Sequence, residues 1–170
     1  MKSGGQEGVH IVLIEPEIPG NTGNIARLCA ATGMTLHLVR PLGFSTDDRA
    51  LKRAGLDYWH LVKVVYHDGF EEVLRTYAGH AFYFFSTKAP RVYTEASFTP
   101  EDFLVFGKET AGIPEDILRV HWDTTVRIPM MEGARSINLS NAVAIVSYEA
   151  LRQLSFPGLR VVGRRTLEEG

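Results

Sequence analysis

The stretch VRIPMMEGARSINLSNAVAIVSYEALRQL, residues 126–154, decides the fold. A run typical of a β-strand (124–128) is stopped by Pro129, and a polar loop (132–136) leads into a long helix. The helix is predicted from apolar side chains that recur at three- and four-residue steps, namely Leu139, Ala142, Val143, Val146, Ala150 and Leu154. From 142 to 146 it is apolar nearly all round, which indicates burial by more than one neighbour, such as a second subunit.

The start of this helix is crowded with short polar side chains. Asn138 or Ser140 can cap it, because a side-chain oxygen there accepts a hydrogen bond from an unpaired backbone N–H. The remaining backbone donors are then available to a ligand. The alternative is that Ser136, Asn138, Ser140 and Asn141 are only competing caps, and this stretch by itself favours that alternative.

Length and composition predict one domain with a real core. The chain has 170 residues, of which 45% are hydrophobic. We expect a loose tail over 1–8, a single domain over 9–158 and a basic C-terminal tail over 159–170. No apolar run reaches membrane length, so we expect a cytosolic protein without a membrane partner.

Cysteine, histidine and net charge narrow the function classes. The single cysteine, Cys29, excludes an internal disulfide and a Cys-rich zinc site, and the six histidines are scattered along the chain, so we expect no metal. A formal net charge of −2 argues against a protein that coats nucleic acid non-specifically. It remains compatible with a local basic patch.

Strand-like and helix-like segments alternate along the chain. Strands are predicted at 9–15, 35–40, 61–66, 80–86 and 103–106, and helices at 25–32, 47–54, 70–77 and 114–120. Gly33 is the expected left-handed cap of the first helix. This alternation predicts an α/β fold, a mainly parallel sheet with flanking helices, whose ligands collect beyond the carboxyl ends of the strands.

The loop PEIPGNTGNIAR (16–27) follows the first strand. Asn24 is the expected N-cap, which places Arg27 in the first helical turn, where the macrodipole disfavours a cation by about 0.3–1 kcal/mol. A cation held against the local field indicates a function. Pairing of Arg27 with Glu15 or Glu17 is an equally good interpretation.

The loop FGKETAGIP (106–114) has two glycines at P-loop spacing, but Ile113 and Pro114 replace the required Lys and Ser or Thr. The first loop likewise lacks the G-x-G-x-x-G of dinucleotide-binding proteins. Gly107 would let a flat ligand such as adenine lie on the backbone, with Glu109 as an acceptor nearby. A tight strand-to-helix turn is equally compatible.

Three segments together resemble the motifs of SPOUT-superfamily RNA ribose methyltransferases, in the same order and at the same spacing. They are PEIPGNTGNIARLCAATG (16–33), FGKETAGIP (106–114) and IPMMEGARSINLSNAVAIVSYEALRQ (128–153). The resemblance covers 9–158, including RAGLDYW (53–59), and is strongest to members that methylate the 2'-hydroxyl of the tRNA wobble nucleotide, a cytidine or modified uridine at position 34. It implies a C-terminal trefoil knot, S-adenosylmethionine as methyl donor, a homodimer and the tRNA anticodon stem-loop as partner.

The resemblance also implies roles for individual residues. Those expected to contact the cofactor are Phe85, where members often have a smaller aliphatic residue, and Gly107, Ile128, Ser136 and Leu139. Those expected around the reacting ribose are Asn24, Arg27, Glu109 and Asn138. We expect Arg27 to act as a donor to a phosphate and to the developing alkoxide, because a guanidinium stays protonated and is a poor base.

RNA contacts are expected from Arg49, Lys52 and Arg53 on the short second helix, and from Tyr148. A solvated helix face is the alternative for the three cations. Tyr58 is a candidate to stack on an unpaired base, whereas core packing is favoured for the neighbouring tryptophan. Two other functions remain open: the same chemistry on another tRNA or rRNA ribose, and a non-catalytic RNA-binding dimer of the same fold.

Overall fold

The computed structural model describes residues 8–45, 49, 51, 53 and 58–164. The tail expected at 1–8 lies outside the described residues except for Gly8, and so do Lys52 and the last six residues of the expected basic tail. Of the helix predicted over 47–54, only residues 49, 51 and 53 are described, and all three are helical.

Besides the helical residues 49, 51, 53, 58 and 59, the described part of the chain contains six strands and four helices. The strands are β1 (His10–Ile14), β2 (Thr35–Val39), β3 (Val64–His67), β4 (Phe82–Phe85), β5 (Phe103–Phe106) and β6 (Thr125–Val126). The helices are α1 (Pro19–Thr32), α2 (Phe70–Thr76), α3 (Glu115–Val120) and α4 (Leu139–Gln153). Two short 3₁₀ turns, Tyr93–Glu95 and Trp122–Thr124, complete the secondary structure.

The strands form one sheet in the order β3-β2-β1-β5-β4-β6, and every neighbouring pair is parallel. Helices α1 and α4 pack on one face, and α2 and α3 cover the other. Strands β1, β2 and β5 are therefore buried on both faces, and most of their residues are apolar; the exceptions, His10, Thr35 and His37, are also buried. The predicted α/β fold with a parallel sheet and flanking helices is confirmed.

Helix α1 begins six residues earlier than predicted. Pro19 occupies the first helical position, where its fixed φ suits the helix and its missing N–H costs nothing. Gly20 and Gly23 precede the predicted start of the helix, but both are helical and neither has a positive φ. The predicted end is confirmed, because Gly33 has φ 74° and its N–H donates to the Cys29 carbonyl at 2.8 Å.

Helix α4 starts as predicted, with Asn138 as its N-cap accepting from the Asn141 N–H at 3.3 Å. Its inner face, including Val143 and Val146, is fully buried against the sheet. On its outer face Ile145 is 38% and Tyr148 47% exposed. In the single chain, the all-round apolar stretch is thus covered on one side only.

A histidine ladder, His10–His37–His67, crosses three adjacent strands on the face covered by α2. The Nδ1 of His10 lies 2.9 Å from Nε2 of His37, and the Nδ1 of His37 lies 2.9 Å from Nε2 of His67. Burial and the neighbouring histidines lower the pKa of His37 to about 3, and burial also lowers the pKa of His67. The central imidazole of the ladder is therefore neutral near pH 7. Histidines that are scattered in the sequence are thus brought together by the strand register.

The described residues contain no group of three or more His, Cys, Asp or Glu side chains that could hold a metal ion. None of the helices in this part of the chain is both long and apolar enough to cross a membrane.

Candidate active site

A cavity of about 580 Å³ opens at the carboxyl ends of β4 and β5. Its walls are formed by residues 85–88 after β4, residues 106–113 after β5, and the segment from Ile128 to the first turn of α4. Ile18 and Asn21, at the start of α1, close one side. Segments that are far apart in the sequence therefore meet around one space, at the end of the sheet where parallel α/β proteins bind ligands.

All five residues that the resemblance assigns to the cofactor line this cavity, namely Phe85, Gly107, Ile128, Ser136 and Leu139. The ring of Phe85 stacks on Phe106, with centroids 4.7 Å apart and planes 12° from parallel. The Phe85 side chain is thus packed against the sheet, and its backbone neighbour Ser86 donates to the Val126 carbonyl at 3.1 Å. The large aromatic is accommodated by stacking on the next strand.

The loop after β5 closes tightly upon itself at Gly107. A Cβ added there would lie 1.9 Å from the carbonyl carbon of Gly112, closer than any real contact. Gly112 has φ 68° and donates its N–H to the Lys108 carbonyl at 2.8 Å. The side chain is missing because the loop's own backbone fills that space. The structure thus supports the turn interpretation of Gly107 over the idea that a ligand needs the room.

Glu109 supplies the cap that α1 lacks locally. The residue at the N-cap position, Ile18, has no side-chain acceptor, and the Glu109 carboxylate accepts instead from the Glu17 N–H at 2.8 Å and from the Ile18 N–H at 3.1 Å. A carboxylate at a helix N-terminus is stabilised by the unpaired N–H groups and the macrodipole. The carboxylate predicted to face the reaction is therefore held between the cavity and the start of α1.

Asn21 joins the three loops and was missed in the sequence analysis. Its Nδ2 donates to Glu109 Oε1 at 3.4 Å, and its Oδ1 accepts from Asn138 Nδ2 at 3.1 Å. We call Glu109–Asn21–Asn138 the site network. Pro19 was the available signal, because a helix that starts there places Asn21 in its first turn beside the other loops.

Asn24 and Arg27 occupy different positions from those predicted. Because α1 starts at Pro19, Asn24 lies inside the helix and is not its N-cap, and Arg27 lies beyond the first turn. The expectation of a cation set against the helix dipole is wrong for this reason. Both side chains are exposed, and neither lines the cavity of its own chain.

The predicted alternative partners of Arg27 are both engaged elsewhere. Lys108 Nζ lies 3.2 Å from Glu15 Oε2, and Glu17 accepts from the Thr110 hydroxyl at 2.8 Å. The guanidinium instead lies over the ring of Tyr58, 4.7 Å from its centroid. Within the part of the chain that the structure describes, Arg27 is therefore held by an aromatic face rather than by a carboxylate.

The remaining predicted RNA contacts lie at the surface. Arg49 and Arg53 are exposed, and Lys52 falls outside the described residues. Tyr148 is about half exposed on the outer face of α4. Trp59 is partly buried and packs against the core, as favoured from the sequence.

Comparison with known proteins identifies the family. The model of the SpoU rRNA Methylase family matches residues 8–148. A Bacillus subtilis protein is 54% identical over 155 residues, covering 89% of this chain and 97% of the relative. An Escherichia coli K12 protein, named tRNA (cytidine(34)-2'-O)-methyltransferase, is 46% identical over 151 residues, covering 88% of this chain and 96% of the relative.

Solved structures agree with these relatives. One, described as giving structural insights into the 2-OH methylation of C/U34 on tRNA, has a TM-score of 0.84 and 45% identity and covers 89% of this chain and 99% of its own. An AdoMet-bound rRNA methyltransferase from Sinorhizobium meliloti has a TM-score of 0.78 and 25% identity, with 88% and 58% covered. The resemblance carried by the three motifs is confirmed, and the chain belongs to the SpoU rRNA methylase family.

Proposed function

We propose that the protein transfers the methyl group of S-adenosylmethionine to the ribose 2'-hydroxyl of the tRNA wobble nucleotide, a cytidine or modified uridine at position 34. The observation that carries this is the meeting of the three motif loops around one cavity. Relatives that share nearly half of this chain's residues over almost their whole length bear names for that reaction, which supports the same substrate here.

The cavity suits the methyl donor. About 580 Å³ is within the range of small-molecule sites, and the lining combines apolar side chains with a few polar groups, as such sites do. Phe85, Gly107, Ile128, Ser136 and Leu139 are the residues that would hold it. Bound S-adenosylmethionine supplies an electrophilic methyl group on a sulfonium. That a related enzyme was solved with this molecule supports the assignment.

The protein's own contribution is positioning. The site network ties the loop after β5 to the starts of α1 and α4, so the walls of the cavity keep a fixed relation. Holding two reacting groups in line removes much of the entropy cost of the reaction. Asn21 therefore replaces Asn24 as the motif asparagine that we place at the site.

Arg27 donates hydrogen bonds to an RNA phosphate and to the developing alkoxide, in a role that needs no proton transfer from the guanidinium. Since Arg27 does not line the cavity of its own chain, we assign this role to Arg27 of a second copy. A homodimer that packs α1 and α4 together would also cover the exposed Ile145.

The C-terminal segment completes a trefoil knot in this proposal. After β6, Arg127 pairs with the segment that joins β4 to β5, donating to the Arg91 carbonyl and accepting from the Tyr93 N–H. The chain then returns to the core as α4. Close pairing with that connecting segment supports passage through it.

The anticodon stem-loop is the expected RNA partner. Arg49, Arg53 and Tyr148 are exposed and available for it, with Lys52 as a further expected contact. A tRNA substrate also agrees with the cytoplasmic location expected from the sequence.

The decisive experiment incubates the purified protein with labelled S-adenosylmethionine and with tRNA from cells that lack the activity, and then maps ribose methylation. Label at the wobble ribose establishes reaction and substrate together. Label at another ribose keeps the chemistry and overturns the substrate. Absence of label in any RNA, despite measured cofactor binding, favours a non-catalytic RNA-binding dimer.

Substitution of Arg27→Lys tests the proposed role of that residue. A lysine keeps the charge but loses the planar set of donors, so we expect most of the activity to disappear, by about tenfold or more, while S-adenosylmethionine affinity is kept. A fully active variant contradicts the role.

Sedimentation at micromolar concentration tests the dimer, and a monomer there would argue against a two-subunit site.

A further inference from the structure

Arg27 has a long, exposed side chain that makes no hydrogen bond or ion pair to any described residue. A free arginine samples many rotamers, and fixing it in one costs up to about 2 kcal/mol of conformational entropy. A donor that must meet one oxygen in the transition state gains from being ordered beforehand. We therefore expect a neighbouring side chain to restrict the rotamers of Arg27 while leaving its N–H donors available to the substrate.

Tyr58 is placed to do this. Its ring lies 4.7 Å from the guanidinium carbon, well inside the range of a cation–π contact. Tyr58 is itself partly buried, and its backbone carbonyl accepts a hydrogen bond from the Leu61 N–H at 2.9 Å. The next residue, Trp59, packs against the core. The aromatic platform is thus anchored at its base.

Stacking and ion pairing differ in what they leave available. A carboxylate would take the N–H edge of the guanidinium, whereas a ring contacts its face and leaves the five donors in the plane. The nearest acidic residues in the sequence are kept away, because Glu15 pairs with Lys108 and Glu17 with Thr110. The arrangement orders Arg27 and keeps its donors for a substrate.

We propose that Tyr58 is a positioning residue for Arg27, one that preorganises the guanidinium for the ribose and phosphate. This inference rests on the proposed role of Arg27 in methyl transfer. It also changes the interpretation of Tyr58 itself. Arg27 covers one face of the Tyr58 ring, and that face is not available for stacking on an anticodon base.

The test compares Tyr58→Leu and Tyr58→Phe with a matched control, Tyr66→Leu. Tyr66 is the ring of the other cation–π pair, 4.9 Å from Arg40, and it does not line the cavity. With tRNA and S-adenosylmethionine saturating, we expect Tyr58→Leu to lower kcat about fivefold, the value of a contact of this kind, with S-adenosylmethionine affinity unchanged. Tyr58→Phe keeps the ring and is expected to stay within about twofold of the wild type, as is the Tyr66→Leu control.

Three kinetic results would overturn the proposal. They are an unchanged kcat in Tyr58→Leu, an effect confined to the KM for tRNA, which marks a base-stacking role, and an equal loss in Tyr58→Phe, which marks the hydroxyl. A fully active Arg27→Lys variant would remove its premise.

A second measurement is independent of activity. ¹⁵N relaxation of the Arg27 side-chain Nε–H is expected to show an ordered group in the wild type and in Tyr66→Leu, and a more mobile one in Tyr58→Leu. Unchanged mobility overturns the proposal even if the wild type methylates no tRNA. Failure of the proposed function and failure of this inference are therefore distinguishable.

Discussion

The site network and the histidine ladder are both rows of hydrogen-bonded polar side chains, but they lie in opposite environments. The network lies at the carboxyl ends of the strands, includes a carboxylate and borders an open cavity. The ladder lies across the face of β1, β2 and β3 under α2, with all three rings buried. The network places a carboxylate beside the backbone N–H groups at a helix N-terminus, whereas burial and the neighbouring rings oppose protonation of His37 at the centre of the ladder.

This difference distinguishes a polar cluster that borders a cavity from one that is enclosed in the core. Both oxygens of Glu109 accept hydrogen bonds from the backbone N–H groups of Glu17 and Ile18. In the ladder, each imidazole can bond its neighbour only if it has one bare nitrogen, and a proton added to His37 would be buried between two more rings. The two rows should therefore respond differently to pH and to substitution.

The largest effect on the free energy of unfolding is expected when acid protonates the histidine ladder. The pKa of His37 is about 3 in the folded protein against 6.5 when unperturbed, so the unfolded chain binds the extra proton between these values. The contribution of the neutral His37 to the free energy of unfolding is fully present above pH 6.5. Between pH 6.5 and the folded-state pKa, the free energy of unfolding falls by about 1.4 kcal/mol per pH unit from His37 alone. Urea unfolding from pH 7 to pH 4 measures this slope. A His37→Gln variant is the control and should show a flatter one, and parallel curves for the two proteins would contradict the prediction.

Removing the carboxylate should break the network. Glu109→Ala leaves the N–H groups of Glu17 and Ile18 without their acceptor, at a cost of about 2 kcal/mol. Glu109→Gln keeps one acceptor oxygen and replaces the other by an NH2 group that cannot accept, so about half that cost is expected. Chemical unfolding at pH 7 compares the two. Equal losses would show that the hydrogen bonds to α1 contribute little.

A substitution of Asn21, the central residue of the site network, tests whether the network supports the cavity. Asn21→Ala removes the bonds to both Glu109 and Asn138, and we expect about 1–2 kcal/mol less stability and weaker S-adenosylmethionine binding. Calorimetric titration measures the affinity. Full affinity in a destabilised variant would limit Asn21 to a structural role.

The smallest effect is expected outside both rows. Asn24 is an exposed residue inside α1 and bonds to nothing in the network, so Asn24→Ala should raise the free energy of unfolding by about 0.5 kcal/mol through helix propensity. Thermal unfolding detects this. A loss of 1 kcal/mol or more would restore the capping role first predicted for it.

The parts of the fold that were predictable are those set by local pattern. Strand β5 was predicted to the residue, because a short, wholly apolar and aromatic run bounded by polar residues has few other solutions. The N-cap of α4 and the glycine end of α1 follow from side chains next to them in sequence.

What local pattern missed depends on distant contacts. The start of α1 was placed too late because Gly20 and Gly23 suggested a loop, and its true cap, Glu109, comes from another part of the chain. Because the predicted start of α1 was too late, Arg27 was assigned to the first helical turn, and Asn21 was not recognised as a site residue. The histidine ladder depends on the register of three strands, which no spacing within one strand determines.

The two bonds of Asn21 span 88 and 117 residues of sequence. A ribosome must therefore release most of the chain before the cavity has all its walls, and a truncated or partly folded molecule has no site with which to capture a ligand. If the proposed methyl donor binds there, it adds stability only to a molecule in which all these segments have met. Ligand binding at this cavity is therefore expected to report that the whole domain has been synthesised and folded.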